Sequence, residues 1–522
     1  MTLSRSGADN VRALTTTPPG NAAGGARGER DPVRRIVPVL GLALVAGLGL
    51  ALSAQEPSFT RRPRADLAAR LRMAARLGTD HLPGRVLVKF RDGLPTAAQT
   101  SAVTRALGGT AAQLRSGDRY TDFTYVEVPV DTDVRAAAAA LAARPEVAYA
   151  EPDTFHHLNL TPTDPAYTRQ WHMRAINLER AWDINDGGRD VIVAVIDSGL
   201  AMANDVLQFP RFFGGRLQII DVPFARSTDI VSDGRLVAPY DFVYEDEIPY
   251  DMDGHGTHVT GSLAQLANND ESGVGVAFNA RLMPLKVCLG EWEILFLLAE
   301  DGVSTVPPNL QGGVCFTSEE SRAVRYAVDN GARILNMSIG GSTPAQATQA
   351  ALQYAVSRGA FVAMSAGNEF DDGNPVAYPA SYARDLNGAM AVGAVGQDLD
   401  HAYYSNTGDY VEIAAPGGNS RQGGSAGLVW QQTYRFDGIA TNQRAPRFDL
   451  LTDDGFQGTS MASPHVAGLA ALLYAQGVRN PAAIESAIRQ FAQDRGTSGR
   501  DNEYGYGLID ARATLRGLGL AR

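Results

Sequence analysis

The sequence predicts an α/β fold: a doubly wound domain with a mostly parallel sheet, preceded by a small α+β domain. First, the chain has 522 residues, which is more than a domain with a single hydrophobic core usually contains, so more than one domain is expected. Second, the strands of the larger unit are nearly continuous apolar runs, as in strands buried on both faces. Third, helical patterns separate several of these runs, and alternating strands and helices favour an open α/β sheet.

The small domain is predicted over residues 81–157. Its first strand and helix are "GRVLVKF" and "AAQTSAVTRALGG", its next strand and helix are "FTYVEVPV" and "DVRAAAAALAARPEV", and "VAYAEPD" closes the unit. Two successive β-α-β runs predict a ferredoxin-like fold. Residues 55–80, just before it, are polar and rich in arginine, and we predict a linker or a helix there.

The larger domain is predicted over residues 161–522. Its strands are the apolar runs "DVIVAVID", "RLMPLKV", "ARILNMSI", "AFVAMSA", "AMAVGAV" and "YVEIAA". In such a sheet, functional groups gather beyond the carboxyl ends of the strands. Two connecting segments, 200–250 and 418–454, are long and are predicted to be irregular.

Residues 1–54 are predicted to be a leader with a signal peptide. The apolar run 36–54 follows Arg34 and Arg35 and ends in small residues, which is typical of a secretory signal. The alternative is a membrane anchor, because the run is just long enough to span a bilayer. Small residues near its end favour cleavage, so we expect a secreted protein, in the periplasm, at the cell surface or in the medium.

Composition indicates a globular protein that does not bind nucleic acid. The chain is 44% hydrophobic and 20% charged, with a net charge of −11 and no basic stripe or zinc-finger spacing. Its two cysteines, Cys288 and Cys315, flank a segment that contains proline and glycine. In an exported chain they are expected to form a disulfide, and the alternative is two separate buried thiols.

Four polar residues stand at strand ends or helix starts. Asp197 ends a buried strand, His255 opens a helix between glycines, Asn368 follows another strand, and Ser460 begins an apolar helix. Taken singly, each has an ordinary explanation as a turn residue, a buried histidine or a helix cap. Taken together they contain the nucleophile, base, acid and oxyanion donor of a serine hydrolase.

The blocks around these residues resemble the subtilisin-like serine proteases (subtilases, peptidase family S8). The matching blocks, in that family's order, are "VIDSGL", "GHGTHVTG", "NMSIGG", "SAGNE" and "GTSMASPHVAG". The resemblance implies that Ser460 is the nucleophile, that His255 is the base and that Asp197 orients it. Asn368 would hold the oxyanion together with the Ser460 backbone N–H. It also implies that His465, although closer to Ser460 in sequence, is structural.

The resemblance further implies substrate contacts and a zymogen. The backbone of a polypeptide substrate would pair as an added strand with the edge formed by Ser338, Ile339 and Gly340. Gly367 is also expected to belong to the substrate-binding site. The small domain resembles the family's inhibitory propeptide, of the inhibitor I9 type, which would serve as folding aid and intramolecular inhibitor. Self-cleavage is then expected between about residues 153 and 164. A monomer is expected, and the chemistry itself requires no cofactor.

Two other functions compete with this interpretation. An inactive peptide-binding protein on the same fold would not need all four positions filled. An α/β-hydrolase esterase requires Ser before Asp before His and a G-x-S-x-G elbow, whereas here the serine comes last and the elbow is absent. A zinc metalloprotease is not supported because no H-E-x-x-H occurs.

Two hypotheses concern charged groups. Calcium could bind as a structural ion, since relatives often bind it and Asn269, Asp270 and Glu271 could supply oxygens, although such residues also make ordinary turns. A second hypothesis is that acidic residues near the matched blocks favour basic substrates, the alternative being a solvated acidic surface. These residues are Asp251, Asp253, Glu369, Asp371 and Asp372.

Overall fold

The structure, a computed structural model, describes residues 65–517 except 78, 80, 109–110, 118–119, 156–160, 233 and 436–444. The apolar run 36–54, predicted as a signal or an anchor, lies outside these residues. Within the described ranges, no helix combines the length and apolar character that crossing a membrane requires.

The small domain is a four-stranded antiparallel sheet in the order β2–β3–β1–β4. Its elements are α1 (Ala65–Leu77), β1 (His81–Phe90), α2 (Thr96–Leu107), β2 (Gln113–Ser116), β3 (Thr124–Glu127), α3 (Val134–Ala142) and β4 (Val147–Thr154). Buried residues of α2 and α3, among them Val103 and Leu141, share one core with Val86 and Val88 of β1. From β1 to β4 this is the β-α-β-β-α-β order of the ferredoxin-like fold. The short strand β2 was not predicted, because only one of its four residues is apolar.

The larger domain is built on a seven-stranded sheet in the order β15–β14–β13–β12–β5–β9–β8, with every neighbouring pair parallel. The strands are β5 (Ile192–Asp197), β6 (Asp205–Phe213), β7 (Arg216–Phe224), β8 (Tyr240–Asp241), β9 (Arg281–Lys286), β10 (Cys288–Leu289), β11 (Val314–Cys315), β12 (Ile334–Met337), β13 (Phe361–Ser365), β14 (Ala389–Val395), β15 (Val411–Pro416), β16 (Val429–Tyr434) and β17 (Leu451–Phe456). The predicted fold class is confirmed for both domains.

Helices cover both faces of this sheet, which explains why its strands are apolar throughout. The helices are α4 (Trp171–Ala175), α5 (Leu178–Trp182), α6 (His255–Ala264), α7 (Glu291–Leu297), α8 (Thr317–Asp329), α9 (Gln346–Ser357), α10 (Thr459–Ala475), α11 (Pro481–Gln490) and α12 (Ala511–Gly517). In β5, Val193 and Val195 pack in one core with α6 and α10. The alternate residues Ala194 and Ile196 pack in a second core with α8 and α9.

The prediction that segment 200–250 is irregular is wrong, because this segment contains a β-hairpin. Strands β6 and β7 form a hairpin along their whole length, from Asp205 opposite Phe224 to Phe213 opposite Arg216. Gly214 and Gly215 connect them with φ of 59° and 76°, the positive values that a tight hairpin turn requires. The Gly-Gly pair between two apolar stretches was therefore an available signal. Segment 418–454 likewise contains β16, which pairs with β17.

Candidate active site

Asp197 and His255 form a close pair at the side of the parallel sheet where the carboxyl ends of the strands lie. Asp197 is the last residue of β5 and is 1% exposed. His255 is the first residue of α6, and 28% of its side chain is exposed. The Nδ1 atom of His255 lies 2.7 Å from Oδ1 of Asp197. Because a carboxylate accepts, the proton of this bond belongs to Nδ1, which leaves Nε2 as the free base nitrogen.

A buried network around Asp251 joins the end of β5 to the start of α6. Oδ1 of Asp251 accepts from the Ser198 hydroxyl at 3.0 Å, and the Ser198 hydroxyl in turn accepts the Gly256 N–H at 2.9 Å. Oδ2 of Asp251 accepts the N–H and the hydroxyl of Thr257, at 2.9 and 2.6 Å. Asp251 is fully buried. These bonds fix the position of His255 relative to Asp197.

Opposing effects act on the pKa of His255. Burial has the largest single effect and would lower it. The charge of Asp197, its hydrogen bond, and the charges of Asp253 and Asp251 outweigh burial and raise the pKa of His255 to about 9. The imidazolium that forms when this side chain takes up a proton is therefore strongly stabilised.

Ser460 lies in the first turn of α10. Gly458 precedes this helix with φ of 153°, a backbone region that favours glycine. The Ser460 hydroxyl donates to the carbonyl of Ser338 at 3.2 Å, and the Ser338 hydroxyl donates to the carbonyl of Ser460 at 2.7 Å. These reciprocal bonds hold the start of α10 against the segment that follows β12. As a first-turn residue, Ser460 has no intrahelical acceptor for its backbone N–H.

The side-chain amide of Asn368 has a fixed orientation. Its Oδ1 accepts both the N–H and the hydroxyl of Thr459, at 2.8 and 2.9 Å. Its Nδ2 therefore remains as the donor, and Asn368 lines the same cleft as Ser460. The arrangement can offer two N–H groups, one from Asn368 and one from the first turn of α10, to a single anionic oxygen.

One cleft of about 420 Å³ unites most of the predicted residues. Those that line it are Asp197, His255, Ser338, Ile339, Gly340, Asn368 and Ser460. Gly367 is not among its lining residues. A side chain there would collide with Asn406 and Ala377, and φ is 105°, so Gly367 lets the backbone turn just before Asn368.

The larger domain matches the model of a known protein family. The model of the subtilase family matches residues 188–507, which include all four of the polar residues singled out from the sequence. The chain belongs to the subtilase family. It is a serine endopeptidase of this family, and a model of the fervidolysin N-terminal prodomain matches residues 68–153, so the subtilase carries a prodomain.

Individual relatives of this subtilase are moderately similar. "Thermophilic serine proteinase" of Bacillus sp. (strain AK1) is 30% identical over 434 residues, which are 83% of this chain and 87% of that protein. "Halolysin-like extracellular serine protease Nep" of Natrialba magadii is 30% identical over 376 residues, 71% of this chain and 56% of that protein. The crystal structure of a lanthipeptide protease matches with a TM-score of 0.50 at 22% identity, over 69% of this chain and all of that one, a likeness of fold.

In this subtilase His465 lies in a buried pair away from the cleft lining. Its Nδ1 lies 2.7 Å from the carbonyl of Met461, and its Nε2 lies 2.8 Å from Nδ1 of His172. The carbonyl can only accept, so Nδ1 of His465 carries the proton and its Nε2 accepts from His172. Both rings are fully buried. Burial lowers the pKa of His465 to about 4 and that of His172 well below its usual value.

A buried ion pair next to Asp197 was missed at the sequence level. Lys286, at the end of β9, donates from Nζ to the carbonyl of Ser198 at 2.7 Å and to Oε2 of Glu293 at 3.0 Å. Both side chains are fully buried. A lysine inside the apolar run "RLMPLKV" signals a buried counterion. The partner comes from α7, in a connection whose fold the sequence does not reveal.

The predicted disulfide is present between Cys288 of β10 and Cys315 of β11. Both cysteines, together with Leu289 and Val314, line the cleft. The disulfide therefore closes the segment that carries α7 and fastens it to the wall of the cleft.

Two of the three candidate calcium ligands already have protein partners. Oδ1 of Asn269 accepts the Glu271 N–H at 3.2 Å, and Oε2 of Glu271 accepts the Thr228 hydroxyl at 2.7 Å. In the described part of the chain, no group of three or more His, Cys, Asp or Glu residues is placed to hold a metal ion. Calcium binding at Asn269, Asp270 and Glu271 stays a prediction.

Most of the acidic residues thought to favour basic substrates have other roles. Asp251 belongs to the buried network, Oε2 of Glu369 accepts from the N–H of Asn368 and from Asn406, and Asp371 pairs with Arg421 at 2.9 Å. Of the five, only Asp253 lines the cleft. The hypothesis as framed on these residues therefore has little structural support.

Proposed function

We propose that this subtilase cleaves polypeptides through an acyl-enzyme on Ser460. The observation that carries the proposal is the pair of His255 and Asp197, whose geometry leaves Nε2 of His255 as a base in the cleft that Ser460 and Asn368 also line. An inactive peptide-binding protein would not need this pair or the free amide of Asn368.

In the first step, the Ser460 hydroxyl turns from the Ser338 carbonyl toward Nε2 of His255. His255 takes its proton as Oγ bonds to the substrate carbonyl carbon, and Asp197 stabilises the imidazolium. The N–H groups of Asn368 and Ser460 hold the oxyanion. As the C–N bond breaks, His255 gives the proton to the leaving amine, and water then releases the acyl group by the same steps in reverse.

We propose that the substrate backbone lies extended along Ser338, Ile339 and Gly340. These residues follow β12 and line the cleft, and an isolated bridge joins Gly341 to Tyr378 just beyond them. Adding a strand to such an edge supplies main-chain hydrogen bonds whatever the side chains are. The hydrogen bonds between Ser338 and Ser460 hold the nucleophile next to this edge.

We further propose export and self-processing. The prodomain would act as an inhibitor of the I9 type and as a folding aid, and the cut would fall between about residues 153 and 164. The predicted signal supports export, as does the name of one relative, an extracellular serine protease. On this account the mature enzyme works as a monomer outside the cytoplasm.

The test is expression of the full chain and of Ser460→Ala in an exporting host. The wild type should hydrolyse casein and yield a mature species whose N-terminus lies in the expected window. Ser460→Ala should remain uncut and inactive. A normal cut in purified Ser460→Ala protein would refute self-processing, and undiminished casein hydrolysis by that variant would refute the proposed nucleophile.

A further inference from the structure

Three carboxylates and one histidine line the cleft. They are Asp197, Asp253, His255 and Glu320, whereas no lysine or arginine occurs among the described residues of the lining. Asp197 is engaged by His255. Asp253 accepts the backbone N–H of His255 at 3.3 Å and so belongs to the start of α6. Glu320 is the carboxylate that the reaction, as derived above, does not use.

Glu320 lies in the first turn of α8 and is half-buried. Its carboxylate accepts one long hydrogen bond, from the Thr348 hydroxyl at 3.4 Å, and no arginine or lysine of the described chain pairs with it. Burial raises the pKa of Glu320. The helix start favours a negative charge there, but only by a few tenths to ~1 kcal/mol.

The neighbouring Glu319 is also half-buried, and it shows what a glutamate with a cationic partner does at the same helix start. It pairs with Arg322 at 2.6 Å and does not line the cleft. Glu320 therefore differs from its neighbour in two ways: it lacks a cationic partner, and it faces a cleft. A half-buried carboxylate is costly without a counterion, and a cation supplied from solution would relieve that cost.

The position of Glu320 suits a substrate side chain. Thr317 and Glu320 of α8, with Ala345 and Thr348, line the same cleft as the edge Ser338–Gly340 on which an extended peptide would lie. Side chains alternate across an extended strand, so one of them can point from that edge toward α8. Arginine and lysine have long apolar stems that reach across a cleft while keeping the charge at the tip.

From these observations we infer that Glu320 is a specificity residue that binds an arginine or lysine side chain of the substrate. The inference rests on the proposed function, because it requires a peptide along the edge Ser338–Gly340. It replaces the acidic residues first suspected from the sequence with one that faces the cleft. Hydrogen bonds between ionised partners are strong enough for a preference of about tenfold.

The experiment uses enzyme matured from the full chain and internally quenched peptides that differ at one position at a time. Each position carries arginine or citrulline, its uncharged isostere. The ratio of kcat/KM for the two peptides isolates the charge from size and shape. The same ratio is measured for Glu320→Gln and for the matched control Glu319→Gln, with thermal unfolding as a check on folding.

At one position, the wild type and Glu319→Gln should prefer arginine about tenfold, and Glu320→Gln should show a ratio near one. No arginine preference at any position in the wild type would overturn the inference, and so would a preference that Glu320→Gln retains. If the wild type hydrolyses the peptides without preferring arginine to citrulline, the role of Glu320 is refuted but the proposed function is not. Failure of the wild type to cleave any peptide would instead refute the proposed function on which it rests.

Discussion

His255 and the pair His172–His465 show how differently one molecule can use the same side chain. His255 bonds through Nδ1 to a carboxylate, and its Nε2 is left to a cleft. His465 bonds through Nδ1 to a carbonyl and through Nε2 to another buried imidazole. The anionic partner raises the pKa of the first, whereas burial lowers the pKa of the second. A histidine that acts as a general base thus needs both an anionic partner and access to the cleft. Nearness to Ser460 in sequence provides neither.

The largest expected effect comes from removing that counterion. Asp197→Asn should lower kcat by about 10⁴-fold, because the amide neither stabilises the imidazolium nor enforces the tautomer with Nδ1 protonated. Steady-state kinetics with a quenched peptide measures it, and circular dichroism checks the fold. A loss of less than tenfold would remove the basis for contrasting His255 with the buried pair.

The second effect concerns the free donor of Asn368. Asn368→Ala should lower kcat by about 10²–10³-fold with little change in KM, because the donor acts on charge that develops in the transition state. The residual rate should still require His255. A rise in KM with unchanged kcat would show instead that Asn368 only binds the ground state.

The buried pair should respond in the opposite manner. His465→Ala removes a buried ring and leaves Nδ1–H of His172 without its acceptor, so the free energy of unfolding should fall by about 2–4 kcal/mol. Denaturant titration measures this loss. Activity per folded molecule should stay within a few-fold of the wild type, and a loss comparable to that of Asp197→Asn would contradict the structural role.

The smallest effect is a pair of pH dependences with different origins. His255 must be neutral to accept a proton, so kcat/KM should rise with pH through a pKa above the usual 6.5, toward about 9. His465 has a folded pKa of about 4, below that of the unfolded chain. Its contribution to stability is therefore complete above about pH 6.5 and is lost as pH falls toward 4.

Both dependences are readily measured, and each has its own control. A pH–rate profile covers the first, and Asp197→Asn should shift its limb to lower pH. Thermal unfolding between pH 7 and pH 4 covers the second, and in His465→Ala the fall in Tm should be shallower. An activity limb below pH 6, or equal acid sensitivity in His465→Ala, would contradict this account.

The site residues that could be predicted from the sequence lie at the ends of regular elements. Asp197, His255, Asn368 and Ser460 stand where apolar runs begin or end, and parallel strands bring such ends to one edge. Side-chain partners that depend on long-range packing could not be predicted in this way. Glu293 reaches Lys286 from a helix inside a disulfide-closed segment, and nothing local indicates that contact.

The same limit explains the other differences. His172 and His465 are far apart in the chain, and only the packing of α4 against α10 makes them a pair. Glu320 looks like an ordinary first-turn glutamate until the cleft is seen beside it. The hairpin of β6 and β7 could have been predicted, because its Gly-Gly turn lies between two stretches of strand-forming residues.

The measurement that tests the central claim most directly is fluorophosphonate labelling of enzyme freed of its prodomain, which in the inactive variants is removed in trans by tagged wild-type enzyme that is then withdrawn. In the wild type the label should be found on Ser460 by peptide mass spectrometry. His255→Ala should slow labelling by at least about 10³-fold, whereas His465→Ala should label at close to the wild-type rate per folded molecule. Rapid labelling of His255→Ala, or its loss in folded His465→Ala, would contradict the assignment of His255 as the base.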